Sequence, residues 1–414
     1  MIDACSRDSN ALLTVDEALE RIQSAVEPIT DTETIAIQKA LGRVLAVTVN
    51  SPINIPFDRN AAMDGYAFNS RELQPGQGVT LTLAGTSWAG RPYQGQLNPC
   101  QCIRIFTGAV VPEQADSVVM QEQVQVERQS VFFPADIKCF QNIRTIGEDV
   151  KQGACLLRQP KILTAVDLGL LASAGIEQVT VKRQLKIAYF STGDELISPG
   201  QPLASGKIYD SNRMMLGGLL ADPCYNIVDL GVIPDQKQLL EAKILEAAAQ
   251  FDVILTTGGV SVGEADYVKE ILQACGNINF WKIAMKPGKP LAFGSIKSCY
   301  FFGLPGNPIA VVVTFQQIVT FALKQLSGLP PVKPLRLTAI CSTPLKKAPG
   351  RKDYQRGILS QNEFGEFYVA TAGQQGSNML SAMSRSNCYI ILPEACSSLQ
   401  IGDQVVVEPF NLSI

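Results

Sequence analysis

Residues 251–267 read FDVILTTGGVSVGEADY. Val253, Ile254, Leu255, Thr256 and Thr257 suit a buried strand, Gly258 and Gly259 stop it, and Gly263 precedes a helical segment starting at 265. A strand, a glycine turn and a helix start gather backbone N–H groups and the positive end of a helix at one spot, which makes a cradle for an anion. Outward from this stretch the same order repeats. Strands are expected at 186–190, 225–230, 252–257, 280–285 and 300–302, and helices at 212–221, 239–250, 265–275 and 309–326. Such alternation predicts βαβ units in a doubly wound parallel sheet, with ligand sites at the C-terminal ends of the strands.

Those ends carry the polar residues. The first delivers Ser191, Thr192, Gly193, Asp194 and Glu195, and the central one Gly258, Gly259, Ser261, Gly263, Glu264 and Asp266. Lys282, Lys286 and Lys289 follow, the last two in KPGKP (286–290), and then the turn GLPGNP (303–308), where Pro305 and Pro308 fix φ beside Gly306. Taken singly, each cluster also fits a plainer role: a solvated loop, a helix cap or a wet lysine surface. Recurrence along one sheet edge favours a common pocket. There an ion pair at 4 Å is worth roughly 4 kcal/mol at an effective dielectric of 20, against ~1 kcal/mol in bulk water. Carboxylates beside phosphate-binding groups make sense with Mg²⁺ between them.

The 414 residues contain no histidine, which excludes Ser-His-Asp and Cys-His nucleophilic sites and HExxH zinc centres. Acid–base work falls to carboxylates, lysine, tyrosine or cysteine, or else to positioning and a hard metal ion. GGVSVG departs from the dinucleotide spacing GxGxxG, and Gly288-Lys289 runs into Pro290, so no Walker A loop exists. A net charge of −3 and a pI near 5.4 give no global drive toward nucleic acid or an anionic membrane. The eleven cysteines include no Cys-x-x-Cys pair and read as buried, reduced thiols. The opening MIDACSRDSN lacks the regions of a signal peptide, and no apolar run is long enough to predict a membrane span. A cytoplasmic location is expected.

The length suggests several domains. A capping box at Thr14 and Glu17 starts a helix, with a shorter one expected at 40–46. Residues 51–142 turn to short strands, at 79–84, 102–107, 117–121 and 123–127; helix returns at 164–174. After the proline-rich linker 329–334, strands at 335–340, 368–371, 388–392 and 404–408 suggest a small barrel or sandwich. The expected division is 1–51 with 147–182 as a helical, elongated linking domain and 52–146 as an inserted β-rich domain. Residues 183–328 form the α/β domain and 329–414 a C-terminal β-barrel.

Ordered blocks along nearly the whole chain then resemble one family. They are AMDGYA (62–67), IFTGA (105–109), NIR (142–144) with GED (147–149), TGDEL (192–196), DSN (210–212), GGVSVGEAD, KPGKP, GLPGNP, Gly350-Arg351 with Arg356-Gly357, and Gly376-Ser377. The family is the molybdopterin molybdotransferases, whose relatives include the gephyrin E-domain; one difference is Asn378, where the family commonly has histidine. The resemblance implies Mg²⁺-dependent insertion of molybdenum from molybdate into adenylylated molybdopterin, with loss of AMP. It also implies a homodimer and transient contact with the molybdopterin adenylyltransferase and with apo-molybdoenzymes. Carried over by motif, Asp64, Thr107, Asp149, Glu195, Asp235 and Asp266 are catalytic candidates; on chemical grounds Glu195 and Asp266, with Asp64 from a second copy of the chain, are expected to orient Mg²⁺. Arg144, Gly258, Gly259, Ser261, Lys282, Lys286, Lys289, Pro305, Gly306 and Pro308 are substrate-binding candidates. Lys286, Lys289, Arg351 and Ser377 are the molybdate set, chemically suited to a tetrahedral dianion. The alternatives are a non-catalytic scaffold related to the gephyrin E-domain, or a tungstate-using paralogue.

Overall fold

A computed structural model describes residues 12–259 and 267–410. Ser261, Gly263, Glu264 and Asp266 therefore lie outside the described residues. Two compact units emerge. One comprises the described residues through Glu33, Gly42–Val44 and Val181 onward; the other comprises Thr34–Leu41 and Leu45–Thr180.

The first unit is built on a six-stranded sheet in the order Tyr225–Ile233, Leu185–Thr192, Val253–Thr257, Cys299–Leu304, Pro290–Ile296, Asn277–Lys282. The first four strands run parallel, in register pairs such as Ala188 with Ile254 and Ile254 with Phe301. Two antiparallel strands extend the far edge, and one of them, Pro290–Ile296, was not expected from the sequence. The winding is double. Leu216, Ile309, Val313 and Leu323 pack on Leu255 and Phe302 on one face, while Leu240, Ile244, Ile271 and Leu272 pack on Ile254 and Phe301 on the other. Val15, Ala18 and Ile22 of the capped helix Val15–Ala25 join the first of these cores.

The last long helix is interrupted. Pro308–Thr314 and Thr320–Leu326 are α-helical, but Phe315–Val319 is a π-turn that carries Gln316 and Gln317 toward Tyr389 and Glu408. Pro308–Leu326 is the one helix among the described residues long and apolar enough to cross a membrane, and it is mostly buried here as a core helix. Beyond the linker, Lys352–Gln361, Phe367–Thr371, Leu337–Cys341, Gln404–Pro409 and Cys388–Leu392 pair in that cycle and close into a five-stranded barrel around Val369, Ile390 and Val407. Its first strand was also missed in the sequence.

The second unit centres on a six-stranded sheet ordered Ser117–Met120, Gly65–Phe68, Gln101–Ile105, Val79–Ser87, Ser130–Phe133, Gln125–Glu127. The helix expected at 40–46 is absent. A 3₁₀ turn at Ile37–Lys39 is followed by the strand Val44–Leu45, because Gly42 sits at φ +74° with Pro223 Cγ only 2.7 Å from where a Cβ would stand.

Candidate functional site

The parallel strands of the first unit end together, and their loops are bonded to one another. Thr192 Oγ1 donates to Asp235 Oδ1, and the Asp235 N–H donates to Asp194 Oδ1 at 3.3 Å. One strand further in, Gly258 holds φ +87°, and a Cβ there would lie 2.4 Å from the Thr192 carbonyl oxygen. Its N–H donates to Leu304 O at 3.2 Å, joining the glycine turn to the start of GLPGNP. Gly259 continues the turn at φ +66°. The glycines thus permit three strand-end loops to close on one another. Asp194 and Glu195 remain exposed there, as does Asp235.

Behind these loops lies a buried polar anchor. Asp210 accepts from Ser191 Oγ at 3.1 Å, caps the helix Ser211–Leu219 through the Arg213 N–H at 3.1 Å, and pairs with Arg213 Nε at 3.0 Å. Next along, Asn212 Nδ2 donates to Gly306 O at 2.8 Å and fixes the GLPGNP turn. Pro305 is buried, Gly306 is exposed, and Pro308 opens the following helix as its first residue.

The barrel reaches the same edge. The Ile309 N–H donates to Ser377 O at 3.1 Å, so the loop carrying Ser377 sits against the turn at Pro308. Met285–Lys286 adds to the barrel strand Lys352–Gln361 in parallel, and Lys286 Nζ donates to Asp353 Oδ2 at 3.2 Å. Arg351 is half-buried, with its Nη1 3.5 Å from Met285 O. Lys282 and Lys289 are exposed and brought together by the bond from Ile283 N to Lys289 O at 3.0 Å. Glu195, Asp235, the glycine turn, GLPGNP, KPGKP, Arg351 and Ser377 therefore belong to one linked set of loops.

The other candidates lie in the second unit. Asp64 accepts from both the N–H and the hydroxyl of Thr107, each at 2.7 Å, and these bonds hold its carboxyl below the usual range. The strand Asn60–Ala61 connects this pair to Arg144: it pairs with Ile143–Arg144, and Ala61 O accepts from the Gly108 N–H at 2.8 Å. Arg144, Glu148 and Asp149 line a groove of about 560 Å³ with Ile55 and Pro56.

No group of three or more Cys, Asp or Glu side chains converges among the described residues. The donor set near Glu195 nonetheless has the oxygen chemistry that Mg²⁺ prefers, since this ion commonly takes one or two carboxylates and completes its shell with water and substrate phosphate. Burial pushes the thiols of Cys102, Cys224, Cys299 and Cys388 up to about 12, which keeps them protonated and unreactive. Asp353, which bonds Lys286, is not among the residues singled out in the sequence, and Arg356 enters there only within the Arg356-Gly357 block. Both are buried on a strand whose charged, alternating text reads as surface.

Comparison with known proteins follows this geometry. The MoeA N-terminal region (domain I and II) matches residues 13–175, a probable molybdopterin binding domain 188–325, and the MoeA C-terminal region (domain IV) 338–410. A molybdopterin molybdenumtransferase of Haemophilus influenzae is 46% identical over 402 residues, spanning 97% of this chain and 99% of its own length. Gephyrin of Dictyostelium discoideum is 32% identical over 96% of this chain and 62% of its own. The crystal structure of a molybdopterin biosynthesis MoeA protein from Pyrococcus horikoshii aligns with a TM-score of 0.82 at 29% identity, covering 97% of this chain and all of that one.

Proposed function

This chain belongs to the MoeA family, and from that premise we propose that it inserts molybdenum from molybdate into adenylylated molybdopterin, giving molybdenum cofactor and AMP. The observation that supports the reading is the junction at Ile309 and Ser377, where a barrel loop bonds to the turn that follows a strand of the doubly wound sheet, so the groups assigned to phosphate and to oxyanion are read as one site.

The roles follow from chemistry. Gly258, Gly259, Ser261 and the turn Pro305–Pro308 bind the pterin phosphate and the adenylate with backbone groups, helped by the charge of Lys282. Lys286, Lys289, Arg351 and Ser377 hold molybdate, a tetrahedral dianion matched to ammonium, guanidinium and hydroxyl donors. The metal-binding sulfurs are those of the substrate dithiolene, so no cysteine of the chain is required. Glu195 and Asp266 hold Mg²⁺, which when bound neutralises charge on the phosphate oxygens, while Asp235 fixes the loop bearing Asp194 and Glu195.

A cytoplasmic homodimer completes the proposal, with Asp64 and Thr107 supplied by a second copy of the chain and Arg144 and Asp149 lining the adjoining groove. The domain division, 1–51 with 147–182, then 52–146, 183–328 and 329–414, is part of this reading. So are transient contacts with the molybdopterin adenylyltransferase that supplies the substrate and the apo-molybdoenzymes that take the product. Catalysis on this plan is positioning and electrostatics. The test supplies adenylylated molybdopterin, Mg²⁺ and molybdate, then measures AMP release and activation of an apo-molybdoenzyme. Tight pterin binding without AMP release would instead favour a non-catalytic binding role. Faster turnover with tungstate than with molybdate would reassign the metal.

A further inference from the structure

Arg356 is 1% exposed on the barrel strand Lys352–Gln361 and forms no ion pair among the described residues; the nearby Asp353 carboxylate, itself paired with Lys286, favours its charge only at a distance. Buried guanidinium groups are ordinarily paired with an anion, because removing an unpaired charge from water is costly. Here Nη2 donates to two backbone carbonyls, Gln374 O and Gly376 O, each at 3.0 Å, while Nε is buried without a partner. Burial pushes this guanidinium down from its ordinary value, though arginine stays charged throughout the physiological range. The fold has thus placed an undercompensated positive charge directly beneath the loop 373–377.

Hydrogen bonds at the same place give that charge a direction. Gln375 grips the Arg356 backbone from both sides: its Oε1 accepts from the Arg356 N–H at 2.8 Å and its Nε2 donates to Arg356 O at 3.0 Å. The Gly376 carbonyl is drawn toward Arg356, and in a trans peptide the N–H of the next residue, Ser377, points the opposite way. Donation to that carbonyl also polarises the peptide and strengthens the N–H as a donor. The Ser377 carbonyl is meanwhile held by the Ile309 N–H.

We propose that Arg356 is a positioning residue for the oxyanion: it clamps the Gly376–Ser377 peptide so that the Ser377 N–H and hydroxyl face the anion, and its charge, only partly offset by Asp353, is further balanced by that anion when it binds. The inference rests on the molybdate-insertion reading. Arg356 does not touch the anion; it acts through Ser377.

The test compares Arg356→Lys, Arg356→Met and Gln375→Ala in the full-length protein. Molybdate binding is measured by calorimetry, and KM for molybdate and kcat by AMP release. Arg356→Lys keeps the charge but cannot bridge both carbonyls, and is expected to raise KM for molybdate about tenfold with kcat within about threefold of wild type. Arg356→Met, lacking clamp and charge, is expected to raise it about a hundredfold. Gln375→Ala loosens the loop with the charge intact and should fall between wild type and Arg356→Lys. An unchanged molybdate KM in Arg356→Lys would overturn the proposal, as would equal losses in all three variants tracking thermal stability alone. If Arg356→Met does not fold, the Lys and Ala variants decide the matter by the same criteria. Wild-type protein that binds molybdate calorimetrically but releases no AMP would sink the functional reading while leaving the Arg356 inference testable by binding.

Discussion

Lys286 Nζ donates to Asp353 Oδ2 at 3.2 Å, tying a half-exposed lysine of the KPGKP loop to a carboxylate buried in the barrel. The carboxylate is not free to follow the lysine, since Gln355 Nε2 also donates to Asp353 Oδ2 at 3.1 Å. A pair with one exposed partner contributes only ~0.2–1 kcal/mol to folding. Its value lies in holding an ammonium group at the junction of sheet and barrel. Lys286→Met is therefore expected to lower stability by less than about 1 kcal/mol. The same change should raise KM for molybdate by at least about tenfold, the loss of one charge-assisted bond. Urea unfolding and AMP-release kinetics read the two effects separately; a KM within twofold of wild type would remove Lys286 from the anion site.

Asp64 offers a pH-dependent test. Its pKa is depressed chiefly by the Thr107 hydroxyl, then by the Thr107 N–H, with Arg104 adding a smaller Coulombic effect. A depressed folded-state pKa means that the stabilising interaction is present above the unfolded pKa and is lost as pH falls through the folded value. Thr107→Val deletes the hydroxyl and keeps the N–H, so the Asp64 carboxyl should titrate at higher pH than in wild type, though still below its unperturbed value. Carboxyl-carbon NMR titration measures this directly. The acid limb of the activity profile should move in the same direction, and activity near pH 7 should change little through ionisation. A titration unmoved by the substitution would show that Thr107 does not hold the carboxylate.

How far the sequence revealed this molecule depended on whether burial left a mark in residue type. Val253–Thr257 and Cys299–Leu304 are buried on both faces and read as apolar runs stopped by glycine or proline. Pro290–Ile296 begins with proline and contains Gly294, both discouraged in strands, and is tolerated where Gly294 lets Asn277 O approach to 2.2 Å of a would-be Cβ. Lys352–Gln361 escaped notice because its first six buried positions include Lys352, Asp353, Gln355 and Arg356. Site residues on pattern-breaking loops, such as Gly258 and Gly306, were legible for that reason. Arg356 was legible only as part of the Arg356-Gly357 block and not as a buried group, since a buried charge on a strand looks in sequence like a solvated one.

Gly258 and Gly306 should respond oppositely to alanine. Gly258 needs φ +87° and has the Thr192 carbonyl 2.4 Å from the would-be Cβ. Gly258→Ala should cost about 2–4 kcal/mol of stability, from left-handed strain plus displacement of the adjoining loop. Gly306 has nothing within 4 Å of its would-be Cβ and is not in the left-handed region. Gly306→Ala should leave stability within about 0.5 kcal/mol while raising KM for the pterin, because the added methyl occupies the space assigned to substrate. Denaturant midpoints and steady-state kinetics separate the cases. A stable Gly306→Ala with unaltered KM would mean the turn does not approach the ligand.

The assignment of Asp64 and Lys286 to different copies of the chain predicts complementation. Asp64→Asn and Lys286→Met homodimers would each carry one defect in both sites. In a mixed dimer, the copy with intact Lys286 receives Asp64 from its partner, so one site is wholly wild type and the other carries both changes. Random association makes half of the dimers mixed, and with molybdate held well below the wild-type KM co-expressed variants should recover about a quarter of wild-type AMP release above the homodimers' residual rate. Purified homodimers combined without subunit exchange should recover none. Were both residues to act within one chain, every site would stay defective and co-expression would restore nothing. The recovered fraction therefore discriminates a shared site from a self-contained one, whatever the absolute rate.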